Sequence, residues 1–340
     1  MKEFVTTLRQ WYEENRRDLP WRNTQDPYPI WLSEVILQQT RVNQGLPYYH
    51  KFLDAFPTLM DLAQAPHDQV MRLWQGLGYY SRARNMMMAA QQVINEHNGQ
   101  FPNTFESIRK LKGVGDYTAA AIASFAFNLP HAVVDGNVYR FLSRLTGDAT
   151  PIDSNQGKKQ FAELADSLLN KKQPGLHNQA MMEIGATVCL PAHPLCHECP
   201  FSAACSAFLE DRITELPVKS KKLQVKERYF HYFLLEKNGK AFIRQRKEKD
   251  IWNGLYEFPL LETNDENAIQ SVLKETGGNI SVSKQYKHLL SHQRLHVHFY
   301  HIKEYRILPF NKQELLEVDL EDLDRFGFPQ LIVRYLGERF

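Results

Sequence analysis

The sequence has no cysteine outside residues 189–205, and only four within them: Cys189, Cys196, Cys199 and Cys205. That excludes a disulfide-stapled secreted scaffold, whose thiols are many and spread along the chain. A long apolar run is also missing. The most apolar stretch, residues 119–134, is broken by Asn128, Pro130 and His131, so it falls short of a membrane span. Residues 1–17 have neither an apolar core segment nor a small-residue cleavage site, so nothing there reads as a secretion signal. These absences predict a cytoplasmic protein with no membrane partner. A net charge of only +2 denies the chain bulk basicity, so nucleic acid would have to be held by locally placed charge. Internal repeats and low-complexity tracts are lacking too.

What is present starts with the thiols. In a cytosolic chain, clustered cysteines usually bind metal. Their spacing is C-x6-C-x2-C-x5-C, with prolines at 191, 194 and 200. Structural zinc sites usually come as two well-separated pairs of the CxxC kind, and here only one pair has that gap. Short loops around four thiolates suit a larger body, a cubane iron–sulfur cluster. Spacing favours the cluster over zinc, and either over a disulfide, without deciding between them.

The 340 residues exceed one ordinary core and suggest two domains. Up to about residue 210, apolar residues recur at three- and four-residue intervals between Pro/Gly turns. Helices are expected over 28–42, 104–111, 116–127, 136–145 and 158–172. A lysine-rich segment without apolar periodicity, 215–227, reads as a linker. Beyond it the period changes to that of strands: residues 228–247 form two strands around an Asn238–Gly239 hairpin turn, and 295–305 form another. The predicted organisation is a mainly α body over 1–214, followed by an α+β domain over 228–340.

Three motifs could carry chemistry. In LKGVGDYTAAAI (111–122), Gly113, Val114 and Gly115 make a tight corner with a helix starting at once, so free backbone N–H groups face outward toward a phosphate. An ordinary helix–turn–helix corner would need less, and the fuller pattern resembles the helix–hairpin–helix of DNA-repair glycosylases. In VVDGNVYRFLSRL (133–145), Asp135 sits just before a helix, where it can cap the first turn and be held ionised by the helix dipole. A lone aspartate there would be a plain N-cap. In WLSEVILQQT (31–40), apolar residues surround most of the helix, and Glu34 shares a narrow polar stripe with Gln38 and Arg41. A glutamate on such a helix is expected in a dry cleft with its pKa raised toward that of a general acid, unlike the usual surface glutamate.

These segments, with GLGYYSRARN (76–85), NQAMMEIGATVC (178–189) and the four cysteines, occur in one order. Together they resemble the adenine DNA glycosylases of the helix–hairpin–helix superfamily, and IWNGLYEFP (251–259) resembles that family's Nudix-like domain. The resemblance implies a two-lobed all-helical body with an iron–sulfur loop, a C-terminal α+β Nudix-like domain, and a [4Fe–4S] cluster on the four cysteines. The activity it implies is removal of adenine mispaired with 8-oxoguanine or guanine in double-stranded DNA, by a monomer. By the same resemblance Glu34 protonates the flipped adenine and Asp135 faces the oxocarbenium-like sugar. Asn137 and Tyr117 orient that carboxylate and the sugar, Glu183 is a second acid at the adenine pocket, and Arg22 binds the purine. Gln39, Leu77 and Tyr79 contact the duplex beside the flipped base; Arg82 and Arg84 either meet phosphates or are plain surface residues, two readings of equal weight. The family's 8-oxoguanine loop contains Phe-Ser-His. Here LLSHQ (289–293) keeps Ser291 and His292 and has Leu290 for the phenylalanine.

The stretch 271–278 has a single acid, Glu275, where a working Nudix hydrolase needs a glutamate-rich helix, so a recognition module without pyrophosphatase activity is expected. Two other functions compete. An oxidised-pyrimidine glycosylase/lyase like endonuclease III would carry a catalytic lysine where Tyr117 stands and lack the second domain. A non-catalytic lesion binder would not need both Glu34 and Asp135.

Overall fold

The computed structural model describes residues 2–220, 225–247, 249–290 and 292–338. Two compact units emerge, Met1–Gln64 with Asn85–Lys222, and Ala65–Arg84 with Leu223–Phe340.

The first unit is helical. Its core joins Leu8 and Tyr12 from the Lys2–Asn15 helix, Val138 and Phe141 from Gly136–Thr146, Phe161 from Asn155–Leu168, and Met181 and Ile184 from Pro174–Thr187. The Pro27–Leu37 helix is capped by Asp26, whose side chain accepts from the Tyr28 N–H at 2.9 Å, and starts at Pro27, where a missing N–H costs nothing. Every residue of that helix from Ile30 to Ile36 is buried. It stops at Leu37, five residues before the end expected from apolar periodicity. Gln39 takes a left-handed backbone (φ 55°), a new helix begins at Val42, and Gln38 and Arg41 therefore lie outside the stripe assigned to them. The Asp116–Phe127 and Gly136–Thr146 helices lie where the sequence places them.

The second unit is a seven-stranded sheet: β1 (Lys226–Lys237), β2 (Lys240–Gln245), β3 (Tyr256–Glu257), β4 (Leu260–Glu262), β5 (Asn279–Leu289), β6 (Gln293–Lys303) and β7 (Leu316–Asp319). The order is β3-β2-β1-β6-β5, with β4 also on β1 and β7 on β2. β1 and β6 run parallel, with Tyr229 opposite His296 and Phe233 opposite Tyr300. β1 is buried without a break from Phe230 to Leu235 because both faces are covered. Phe230, Tyr232 and Leu234 pack with Ile332 and Tyr335 of the Gln330–Gly337 helix, while Phe233 and Leu235 pack with Ile269 and Leu273 of Glu266–Thr276. Asn238 and Gly239 are both left-handed, as the two-residue turn between β1 and β2 requires. Residues 65–84 pack onto this sheet domain: Gln75 Nε2 donates to the Phe328 carbonyl at 3.1 Å, and Arg84 donates to the Asn253 carbonyl. Among the described residues, no helix is long and apolar enough to cross a membrane.

Candidate active site

Glu34 stands on the buried Pro27–Leu37 helix, 6% exposed, and its carboxylate accepts a 2.6 Å hydrogen bond from the Tyr117 hydroxyl. Burial pushes its pKa up to about 7, a repulsion from Asp135 adds to the rise, and the Tyr117 bond and Arg22 partly oppose it. Tyr117 thus sits on Glu34, where the resemblance had it serving Asp135 and the sugar. Burial beside these carboxylates drives the phenol well above its ordinary range, so it remains a donor.

Asp135 is the N-cap of the Gly136–Thr146 helix. It accepts from the Val138 N–H at 2.8 Å and from Asn137 Nδ2 at 2.7 Å. Burial raises its pKa above the usual value, and the bonds from Val138 and Asn137 only moderate that rise. The two carboxylates are therefore both shifted upward, Glu34 far enough to be about half protonated at neutral pH. Asn137 is held in turn, because Arg140 donates to its Oδ1 at 2.9 Å and to the Gly185 carbonyl at 2.6 Å. Gly185 has to be glycine: a Cβ there would lie 2.7 Å from the Asn137 Cβ.

Glu183 is fully buried. It accepts from the Arg17 backbone N–H at 3.0 Å, from Arg17 Nη2 at 2.7 Å and from Arg22 Nη2 at 2.6 Å. Although burial alone would oppose ionisation, these partners hold its pKa down to about 2. Arg22 is accordingly paired with Glu183.

The glycine corner has the predicted form. Gly113 is left-handed (φ 77°), and a Cβ there would stand 2.6 Å from Asn85. Gly115 is the N-cap of the Asp116–Phe127 helix with no side-chain cap bond, and no atom would meet a Cβ on it within 4 Å. The first N–H groups of that helix thus lack a capping side chain. Val114 is buried.

Gln39 and Tyr79, expected to touch the duplex, share an unusual feature. Both non-glycine residues have positive φ, 55° and 46°, and Tyr79 is 45% exposed. Such backbone is costly for ordinary side chains and clusters at functional sites. Leu77 is buried at 5% exposure and does not present itself to solvent. Arg82 stacks over the Trp74 and Tyr79 rings and donates to the Leu77 and Gly78 carbonyls, so it buttresses Tyr79; Arg84 is engaged by Asn253. In the second unit His292 is exposed and Leu290 is partly buried against the core, while Ser291 lies outside the described residues.

The four cysteines line one cavity together with Phe141, Leu145 and Val188. Among the described residues, no three His, Cys, Asp or Glu side chains draw close enough to share a single metal ion. Four thiols lining one cavity are a donor set of the kind that holds a metal cluster through thiolates. Arg144, 2% exposed, has its Nη1 3.5 Å from Cys189 Sγ and binds the Leu190 and Pro191 carbonyls. Arg17, Arg140 and Arg144 were not singled out in the sequence. Arg17 follows the Lys2–Asn15 helix, and Arg140 and Arg144 lie one turn apart on the Gly136–Thr146 helix; neither placement separates a buried arginine from a surface one.

Residues 32–170 match the HhH-GPD superfamily of base excision DNA repair proteins, and residues 231–338 match the NUDIX domain. The chain is 33% identical over 340 residues to the adenine DNA glycosylase of Buchnera aphidicola subsp. Baizongia pistaciae, covering 98% of this chain and 95% of that one. With the Arabidopsis thaliana adenine DNA glycosylase it shares 37% identity over 79% of this chain and 50% of that one, and with the Homo sapiens enzyme 44% over 60% and 39%. Among solved structures, a thermostable thymine-DNA glycosylase superposes with a TM-score of 0.57 at 32% identity, over 62% of this chain and 96% of that one. Endonuclease III in a DNA complex gives a TM-score of 0.54 at 20% identity, over 62% of this chain and 96% of that one, a likeness of fold. With nearly its whole length matched, and with a buried carboxylic acid beside a capping aspartate, the chain belongs to the adenine DNA glycosylase family, enzymes of base excision repair that act on N-glycosyl bonds.

Proposed function

We propose that this chain removes adenine mispaired with 8-oxoguanine or guanine in double-stranded DNA, and that it leaves the strand intact. The observation that carries the reading is Glu34, a dry carboxyl with a pKa of about 7 and a phenol at 2.6 Å. Adenine inside a duplex is out of reach and has to be flipped out, at a cost of a few kcal/mol that is smaller at a mispair. It is a poor leaving group until a ring nitrogen is protonated, and an acid half protonated at neutral pH can supply that proton. Asp135, fixed by Val138 and Asn137, then faces the cationic sugar as the bond to adenine breaks. Two carboxyls of different proton affinity divide acid and electrostatic work as they do on glycosides. The corner at Gly113–Gly115 takes a phosphate, and Gln39 and Tyr79 each contact the duplex.

A strand-cutting lyase requires an amine to form a Schiff base with the sugar. Tyr117 is a phenol already bonded to Glu34 and cannot form one. This chemistry belongs to residues 1–214 and recognition of the opposite purine to 228–340, with residues 65–84 joining the latter; of the 215–227 linker, Lys226 and Glu227 already belong to β1. The protein works as a cytoplasmic monomer bound to the nucleoid's DNA. Cys189, Cys196, Cys199 and Cys205 suit a [4Fe–4S] cluster, which when bound would tie the 189–205 loop into one rigid piece.

The test is single-turnover excision from duplexes with adenine opposite 8-oxoguanine, guanine, cytosine or thymine, with products resolved before and after alkali. Excision confined to the two purine mispairs, with strand breaks only after alkali, is expected. Cleavage without alkali, trapped by borohydride, would establish the lyase instead.

A further inference from the structure

The second unit carries an open chamber of about 400 Å³. Three segments distant in sequence wall it: one with Tyr79, one with Asp250 and Trp252, and one with Leu290, His292 and Gln293. Nothing in the local sequence of any of these segments fixes its distance from the others. One buried side chain does so for two of them.

Arg228, on β1, is 8% exposed, and each of its five N–H donors has a partner. Nε and Nη2 reach the two Glu262 carboxylate oxygens at 2.6 and 2.7 Å. Nη1 and Nη2 reach the two Asp250 oxygens at 2.9 and 2.7 Å, and the remaining Nη1 proton goes to Gln293 Oε1 at 3.0 Å. A planar guanidinium with all donors used leaves its acceptors little freedom to shift. Asp250 also takes a bond from Arg246 Nη2 at 3.0 Å, and Arg246 Nε holds the Ile251 carbonyl at 3.0 Å.

The segment held in this way is strained. Trp252, two residues after Asp250, has φ 59°, a backbone that a bulky side chain adopts only when its surroundings impose it. Its ring packs at 6.1 Å from Phe230 and 5.9 Å from His288, so it forms a wall of the chamber next to the end of β5. An isolated strain of this kind would relax. The Asp250 clamp on one side, and the Asn253 carbonyl held by Arg84 on the other, keep it in place.

We infer that Arg228 is a positioning residue for discrimination of the purine opposite adenine: by binding Asp250 and Gln293 at once, it sets Trp252 against the wall formed by Leu290, His292 and Gln293. The inference rests on the reading of 289–293 as the segment that meets that purine. Glu262 supplies an internal control. It shares Arg228 but lines no wall of the chamber, so weakening its bond disturbs the same network without freeing either wall.

The experiment uses full-length protein and compares wild type with Arg228→Lys, Asp250→Asn, Glu262→Gln and His292→Ala. For each, the dissociation constant for a duplex with adenine opposite 8-oxoguanine or guanine is measured, with the limiting excision rate from each and the thermal midpoint. Arg228→Lys and Asp250→Asn should lose about tenfold in discrimination between the two purines, as expected for losing a hydrogen bond to a charged group. That loss should lie in binding, with the limiting rate opposite guanine within about twofold of wild type. Glu262→Gln should lower the thermal midpoint comparably while keeping discrimination. If Glu262→Gln and Asp250→Asn lose discrimination in proportion to stability, or if Asp250→Asn keeps it, Arg228 is a structural residue only. Should Arg228→Lys fail to fold, Asp250→Asn, which keeps the side-chain shape, decides. The underlying reading fails separately: His292→Ala would then match wild type, or wild type would not distinguish the two purines at all.

Discussion

Two buried glutamates in the helical unit differ only in their company. Glu34 is enclosed by apolar neighbours and given a phenol, and its proton stays on to about pH 7. Glu183 is enclosed as completely and given Arg17 and Arg22, and its proton is gone above about pH 2. Removal from water costs both of them the charged form. A neutral donor offsets little of that cost and two guanidinium groups more than cancel it, so the same side chain becomes a proton source in one place and a fixed anion in the other. The lesson is that cations are kept off the acid and concentrated on its neighbour. Arg22 is near enough to influence both, and of the two carboxylates its hydrogen bond goes to Glu183.

The strongest way to break this comparison is Glu34→Gln. The amide keeps the shape but has no proton to give, so single-turnover adenine excision should fall by roughly 10²–10⁴-fold while affinity for the mispaired duplex is retained. Excision within threefold of wild type would mean that another group is the acid. Glu183→Ala attacks the other side. It leaves two arginines without their anion, and denaturant unfolding at pH 7 should show a loss of about 3–5 kcal/mol. A loss under 1 kcal/mol would make the cluster dispensable.

Proton linkage sharpens the contrast, because the two acids bend stability in opposite directions. The folded Glu183 pKa lies below its usual 4.5, so its contribution is complete above pH 4.5 and disappears as pH falls toward 2. Glu34 lies above its usual 4.5, so it costs nothing below that pH and costs about 3 kcal/mol once pH has passed 7, at 1.36 kcal/mol per unit. Glu34→Gln should therefore be stabilising at pH 8 and neutral at pH 4.5, as read from unfolding curves at the two values. A pH-independent difference would contradict the raised pKa. The smallest effect is expected from Tyr117→Phe. The Tyr117 bond favours ionised Glu34, so its loss should move the alkaline limb of the excision profile upward by about one unit or less, with the rate at pH 7 changed by under about tenfold. A limb moving downward would show that Tyr117 donates to something else in the working complex.

Much of this was legible without coordinates. Glu34 could be placed in a dry site because the residues around it on the helix are apolar, and local periodicity survives folding. The glycine corner was legible because Gly113 and Gly115 lie two residues apart and act on one turn. The end of the first catalytic helix was not legible, since residues 28–42 keep a helical pattern through a break that Gln39 makes with its backbone alone. The environment of Asp135 was not legible either: the sequence marks a capping aspartate, and only the tertiary structure shows the burial that raises its pKa against the cap bonds.

By itself, the sequence determined the helical and strand segments, the single cluster of thiols, the turn at Asn238–Gly239, and which acids sit on apolar helices. Each of these depends on residues within a few positions of one another. Tertiary structure alone decided which arginine meets which carboxylate: Arg17 and Arg22 with Glu183 across more than 160 residues, Arg228 with Asp250, Glu262 and Gln293, and the packing of 65–84 on the C-terminal sheet domain. Charge pairing in a dry interior acts over a few ångströms of space, and no spacing along the chain records which distant partners will lie within that reach.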